Sequence, residues 1–392
     1  MQSQLLGIKK RLSAKRGMKI CAQKKLRIIN VVTQMEAGGA QGAALRMARE
    51  LRLRGHHAET WFLYRKRGIF DSEPDVRVLW DGRPTGLWQI VRFFWGVYRA
   101  LEGCRPDAVI TYGHYANVIV QPIAWLLGVR QRVATQGRVE WAQPALARIL
   151  TALLGSLGCY TRVIAVSETV ARTFEHYPKR FRCTLVTVPN GIDGVVASIT
   201  KEAARRKYGL PLDKPLIMSV GRLAEVKNHA VLVRALRYLE EWHLVIVGAG
   251  ELESSLKALA QDLNVLGRLI FLGEFKPAEV RELLRAPDVF AFPSRHEAFG
   301  FAVLEAAANG LPIVCSDIPA MKEIFGNDTD NPGALLVAAD DEKGYANAIR
   351  RVAEDKHLRE KLAMNARNVA RRYTINKMVD GYIAAVGGTD RE

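Results

Sequence analysis

Apolar positions fall in short unmixed runs that alternate with longer amphipathic stretches. Leu26–Thr33 reads as a buried strand, followed by a glycine loop, Gly38-Gly39-Ala40, and a helix that runs through Leu53 and stops at Gly55. Asp107–Thr111, Val163–Val166 and Leu185–Val188 read as further strands, and Pro189-Asn190-Gly191-Ile192-Asp193 as a turn. The alternation then restarts. Leu216–Val220 is a strand ending in Gly221, Asn228–Leu239 a helix, and Leu244–Val247 a strand closed by Gly248-Ala249-Gly250. Leu269–Leu272, Val289–Phe292 and Ile313–Cys315 are three more strands flanked by helix-like stretches. Strands alternating with helices predict an α/β protein with parallel sheets covered on both faces. Two such series, divided near residue 195, predict two doubly wound, Rossmann-like domains. Ligand would bind at the carboxyl ends of the strands, in the cleft between them.

The length of 392 residues suits two domains, and 49% hydrophobic with 25% charged residues suits a soluble globular chain. Charge changes the picture because it is uneven. Residues 1–200 hold 30 Lys and Arg against 13 Asp and Glu; the rest balance at 27 of each. A basic first half can face nucleic acid, an anionic membrane or an anionic substrate, or be a plain solvated surface. Cys21, Cys104, Cys159, Cys183 and Cys315 are scattered and form no CxxC pair, which reads as reduced thiols in a cytoplasmic protein. No metal-binding pattern stands out. The longest apolar run, Val118 to Val129, holds Gln121 and Pro122 and is too short to span a bilayer. Residues 1–25 form a basic stretch without the apolar core of a signal peptide; they read as a tail, or translation begins at Met18.

Three segments carry candidate chemistry. In Pro293-Ser294-Arg295-His296-Glu297-Ala298-Phe299-Gly300-Phe301, followed by Glu305, two carboxylates bracket a glycine turn that opens a helix. Helix-start amides suit a diphosphate, and carboxylates accept hydrogen bonds from sugar hydroxyls. The plainer reading is acids complementing a helix dipole. In Gly221-Arg222-Leu223, then Lys227, two cations five residues apart at a strand end suit a diphosphate, or form a solvated basic loop. Gly38 and Gly39 allow close backbone approach to a ligand, as in many tight turns.

The ordered set resembles family 4 of the retaining glycosyltransferases, the group 1 glycosyl transferases with the GT-B fold. It comprises Gly38-Gly39-Ala40, the helix ending at Gly55-His56, Val166-Ser167-Glu168, Pro189-Asn190-Gly191-Ile192-Asp193, Gly221-Arg222-Leu223 with Lys227, Gly248-Ala249-Gly250-Glu251-Leu252, and Glu297 with Glu305. The resemblance covers nearly the whole chain from residue 26. It implies an acceptor-side domain at 26–194, a nucleotide-sugar domain at 195–375, and a segment at 376–392 returning to the first domain. Glu297 would contact donor-sugar hydroxyls and Glu305 the ribose. Arg222 and Lys227 would clamp the diphosphate as it leaves. Amides around Phe299, Gly300 and Phe301 would contact sugar and phosphate, Gly273 in Leu272-Gly273-Glu274 would lie along the base, and Gly38 and Gly39 would close over the donor. His114 is the candidate for the histidine many members place after the fourth strand, and a structural role is the alternative. The family pattern departs at Ala298, where Gly is usual, and at Gln41, where Glu is frequent.

The resemblance implies that the acceptor hydroxyl attacks the face the diphosphate leaves, with no metal, cofactor or fixed general base. UDP is the nucleotide expected by family frequency. A lipid-linked or polysaccharide acceptor of the cell envelope would meet the basic half. In residues 87–99, Leu87, Val91, Phe94 and Tyr98 share a face flanked by Trp88, Arg92, Trp95 and Arg99. Such a helix either packs on its own sheet or lies on an anionic bilayer, which would make the enzyme peripheral on the cytoplasmic face of the inner membrane. Two other readings compete: a nucleotide-sugar epimerase of the same shape, and a basic nucleic-acid-binding protein. The paired glutamates with Arg222 and Lys227 argue against the epimerase. No zinc finger, RNP or helix-turn-helix pattern supports nucleic acid, which is not expected as a partner.

Overall fold

The computed structural model describes residues 25–36, 38–326 and 332–387. Cys21, Met18 and the basic tail other than Lys25 lie outside the described residues, as do residues 388–392. β1 (Arg27–Met35), β2 (His57–Arg65), β3 (Val76–Val78), β4 (Ala108–Tyr112), β5 (Gln131–Gln136), β6 (Arg162–Ala165) and β7 (Leu185–Thr187) form one sheet in the order β3-β2-β1-β4-β5-β6-β7. β8 (Leu216–Val220), β9 (His243–Val247), β10 (Leu269–Gly273), β11 (Val289–Phe292), β12 (Ile313–Ser316) and β13 (Leu335–Val337) form the second, in the order β10-β9-β8-β11-β12-β13. Every pairing of named strands is parallel; Ile28 sits opposite Ala108, and Leu216 opposite His243. Parallel neighbours need crossover connections, which is why each sheet is dressed with helices on both faces.

Strands read from unmixed apolar runs appear within two residues of their expected ends. β2, β3, β5 and β13 are additions. β2 follows directly on the preceding helix stop, and β5 begins with Gln131 and Arg132 and ends with Gln136, so neither stands out as an apolar run. Arg132 is tolerated because its guanidinium donates to the carbonyls of Cys159 at 2.9 Å and Gly158 at 3.2 Å. The helix expected over 228–239 is shorter: His229–Ala235, continued by a 3₁₀ turn at Leu236–Tyr238. Asn228 lies outside it in a left-handed conformation, φ 50°.

The first sheet buries Ile28, Val32 and Ile110 under helices Gly39–Leu53 and Ile375–Gly387. Its other face buries Ile29, Val31, Trp61 and Val109 under helices Leu87–Cys104 and His114–Leu126. Helix Leu87–Cys104 packs through Phe93, Val97, Ala100 and Leu101. Of the two readings of the Leu87, Val91 and Phe94 face, packing on the sheet is not the one realised: all three are exposed, as are Trp88 and Trp95. Both stripes are apolar, so periodicity alone could not say which one meets the sheet. No helix of the described residues is long and apolar enough to cross a membrane.

Two stretches of chain pass between the sheets. They pair where Ile192 N donates to the Tyr373 carbonyl at 2.9 Å and Ile375 N donates to the Ile192 carbonyl at 3.1 Å. The last helix then lies on the first domain, with Tyr382 hydroxyl 3.2 Å from Thr135 Oγ1 and Arg54 reaching Asp380 and the Asn376 carbonyl.

Candidate functional site

Strand order reverses between β1 and β4 in the first sheet and between β8 and β11 in the second. Adjacent loops part there, leaving a crevice beyond the strand ends. Gly38 and Gly39 follow β1, His114 follows β4, Gly221 to Lys227 follow β8, and Glu297 to Phe301 follow β11. Gly273 closes β10, two strands out from β8.

On the second domain three loops are stitched together by backbone. Gly221 N donates to Val247 at 2.9 Å, Leu223 N to Ala249 at 3.0 Å, and Gly248 N to Gly273 at 2.8 Å. Lys227 ends a 3₁₀ turn fixed from both sides. Arg295 N donates to the Val226 carbonyl at 2.9 Å, and its guanidinium pairs with Glu225 at 2.6 Å and Asp340 at 2.7 Å. Asn228 Nδ2 donates to the Ala339 carbonyl at 2.8 Å. So held, Lys227 Nζ pairs with Glu297 Oε1 and sits 5.3 Å from the centre of the Phe292 ring. Arg222 is exposed and makes no ion pair among the described residues; its charge faces Glu36 at the end of β1.

Gly300 caps helix Phe301–Ala308 with φ 92°, and a Cβ there would lie 3.0 Å from Met321 Cε. Only glycine takes that conformation without strain, so the helix start stays open to a ligand. Phe299 is buried edge-on to Phe301 and Tyr373. Gly39 meets Phe301 across the cleft: a Cβ on Gly39 would approach its ring to 3.0 Å. Glu305, on the same helix, is partly buried and does not join the Lys227–Glu297 pair. Burial pushes its carboxyl above the usual range; Arg46 and Arg281 pull against that shift, while Asp193 adds to it. The candidate residues thus form two charge groups, one at Lys227 and Glu297 and one at Glu305.

His114 is the first residue of helix His114–Leu126. A buried network anchors that helix: Thr111 Oγ1 donates to Asn117 Oδ1 at 2.6 Å, and Gln121 Nε2 donates to Thr111 Oγ1 and the Val133 carbonyl, each at 2.8 Å. Burial, with Arg138 nearby, holds the His114 imidazole below its ordinary value. Its Nε2 is enclosed without a hydrogen-bond partner. Gly273 adds only backbone, and the neighbouring Glu274 pairs with Arg67 of the first domain at 3.1 Å.

Several residues at the cleft escaped sequence reasoning. Arg46 lies over the Phe301 ring at 4.8 Å. His229 is buried, and burial with the Lys227 charge pushes it down to about 4. Trp141 meets His296 edge-on at 4.8 Å. Glu323 accepts from the backbone of Glu168 at 2.7 Å and of Thr169 at 2.8 Å, clasping the domains together. The pairings of Arg46, Trp141 and Glu323 join positions far apart in the chain, so no local pattern marks them.

Two all-parallel sheets facing across such a cleft are the GT-B architecture. Residues 37–194 match the family described as Glycosyltransferase Family 4, and residues 200–369 match Glycosyl transferases group 1. A D-inositol 3-phosphate glycosyltransferase from Stackebrandtia nassauensis is 33% identical over 76% of this chain and 72% of its own. A UDP-Gal:alpha-D-GlcNAc-diphosphoundecaprenol alpha-1,3-galactosyltransferase from Escherichia coli is 34% identical over 50% of this chain and 49% of its own. The solved structure of HepE from Anabaena, in complex with UDP and glucose, superposes with a TM-score of 0.80 at 18% identity over 93% of this chain and 100% of its own. The chain belongs to the family 4, group 1 glycosyltransferases, which sets aside the epimerase and nucleic-acid readings.

Proposed function

We propose that this glycosyltransferase moves a sugar, with retention of configuration, from a UDP-sugar to a lipid-linked acceptor of envelope glycan synthesis. The Lys227–Glu297 pair at the mouths of β8 and β11 carries this reading. Lys227 and Arg222 take the diphosphate, offsetting the charge that grows on it as the glycosidic bond breaks. Glu297 accepts from sugar hydroxyls, and Glu305 accepts from the ribose. Amides at Phe299 to Phe301 face the sugar and phosphate, and Gly38 and Gly39 close from the other side. The acceptor oxygen bonds to the anomeric carbon on the face the diphosphate leaves, and a departing phosphate oxygen takes the hydroxyl proton. His114, neutral by its burial, orients the donor sugar rather than removing that proton. No metal or other cofactor enters this scheme; placement and charge supply the rate.

The acceptor is taken from an anionic bilayer on its cytoplasmic side. Helices Leu87–Cys104, His114–Leu126 and Ala145–Ser156 lie side by side on the first sheet. They turn Trp88, Val91, Trp95, Leu126, Leu146 and Ile149 to solvent, with Arg92, Arg99 and Arg130 exposed beside them. Apolar side chains rimmed by arginine suit insertion among anionic head groups. The Escherichia coli relative supports a lipid carrier, since its name gives a diphosphoundecaprenol acceptor. The test is product stereochemistry. UDP-sugars are screened for transfer or hydrolysis, and the anomeric proton is followed by NMR as product forms. Initial product of the donor's own configuration supports the reading, and inverted product sinks it.

A further inference from the structure

Arg46 sits near the middle of helix Gly39–Leu53, two turns beyond Gly39, and belongs to the first domain. Its guanidinium lies over the ring of Phe301, the residue that opens the helix bearing Glu305. The Nε is shut off from solvent and has no hydrogen-bond partner. Its charge faces Glu305 on that helix and Asp193, next to Ile192 in the stretch that passes between the sheets, with Arg281 on helix Pro277–Leu283 the like charge nearby. Yet no carboxylate of the described residues lies within ion-pair distance of it. A cation enclosed beside two acids, and bonded to neither, leaves donor capacity unused in a place where an unmet donor is costly.

Glu305 and Arg46 are complementary. A carboxylate accepts from vicinal hydroxyls, and a guanidinium donates to oxygen. A ribose joined to a diphosphate offers both at once. We infer that Arg46 is a donor-positioning residue, contributed by the first domain, that grips the ribose–diphosphate part of the nucleotide opposite Glu305. The inference rests on the assignment of Glu305 to the ribose. Two consequences follow from the placement. Arg46 favours the ionised form of Glu305, the form that accepts two hydroxyl hydrogens. It also makes donor binding depend on both domains, because the helix carrying Arg46 belongs to the first domain and Glu305 to the second.

The experiment is calorimetric titration of the full chain with UDP between pH 5 and pH 8, on native protein and on Arg46→Met, Arg46→Lys and Glu305→Gln. Arg46→Met is expected to weaken UDP about tenfold, or 1.4 kcal/mol. It should also shift the acid-side loss of binding to higher pH than in the native protein, since Glu305 loses a nearby cation while Arg281 and Asp193 remain. Arg46→Lys should restore the pH profile even where it does not restore affinity, which a merely packing role would not do. Arg46→Met that binds UDP with native affinity and profile, while Glu305→Gln binds weakly, overturns the inference alone. Glu305→Gln that binds as native overturns the ribose assignment beneath it. If Arg46→Met does not fold, Arg46→Gln takes its place, with the same outcomes deciding.

Discussion

Lys227 and Glu297 form an ion pair although they stand 70 residues apart, each on the loop leaving one of two neighbouring strands, β8 and β11. The pair lies where the strand order of the second sheet reverses, and the Arg295 contacts to Val226 and Glu225 hold its two loops in register. The carboxylate proposed to meet the sugar thereby stands beside the cation proposed to meet the diphosphate.

Breaking that pair should separate chemistry from folding. Lys227→Met leaves the Glu297 carboxylate, only 12% exposed, without its partner, at a cost of about 1–3 kcal/mol. It should also lower kcat roughly 100-fold through the lost charge on the leaving group. Glu297→Ala should cut transfer comparably. Melting curves and donor turnover measured on the same samples check both, and full transfer activity in Glu297→Ala would contradict the site.

His229 gives the protein an acid-side weakness. Its ordinary value near 6.5 falls to about 4 in the fold, first through burial and then through Lys227. Between those values the unfolded chain binds more protons, so stability rises with pH across that window and is lost as pH falls through it. The full effect is up to about 3 kcal/mol. Denaturant melts at pH 7 and pH 4.5 should show the loss, and His229→Leu should flatten that part of the profile.

Gly300→Ala tests the open helix start. A side chain at φ 92°, against Met321 and Val303, should cost about 1–3 kcal/mol. UDP affinity should fall with it, because the amides at Phe299 to Phe301 move. Unchanged melting and unchanged UDP affinity would mean the turn relaxes without consequence.

The outward apolar plane should be separable from the cleft. Trp88→Ser combined with Trp95→Ser removes two exposed side chains and should leave the melting temperature nearly unchanged. Sedimentation with phosphatidylglycerol vesicles should drop several-fold, while UDP affinity holds. Native protein that fails to sediment with such vesicles at any salt would remove the membrane from the proposal.

Much of this architecture was legible in the sequence because central parallel strands are spelled mostly by apolar residues: Leu216–Val220 and Val289–Phe292 have the bounds expected of them. Four strands were not: β2 opens on polar residues including His57 and Glu59, β3 and β13 are three residues each, and β5 carries Arg132. The candidate residues could be named one by one from their motifs. How they group could not. Nothing local says that Lys227 meets Glu297 while Glu305 faces Arg46, because those neighbours are set by which loops the two sheets bring together. The outward face of helix Leu87–Cys104 was left open between two readings for a related reason: with two apolar stripes on one helix, only the sheet beneath decides which is covered.

The return of the chain through Tyr373 to Ile375 bears on how the protein is made. Met378, Val379, Tyr382 and Val386 belong to the apolar cluster under the first sheet, beside residues such as Ile28 and Ala44. A ribosome delivers the first domain's strands early and helix Ile375–Gly387 only after the strands of the second domain. Until then that side of the early domain is covered only in part, by helix Gly39–Leu53, and the rest of its apolar residues face water. The leading domain therefore gains the last of its apolar cover only after the trailing domain has been synthesised, which ties the completion of one half to the presence of the other.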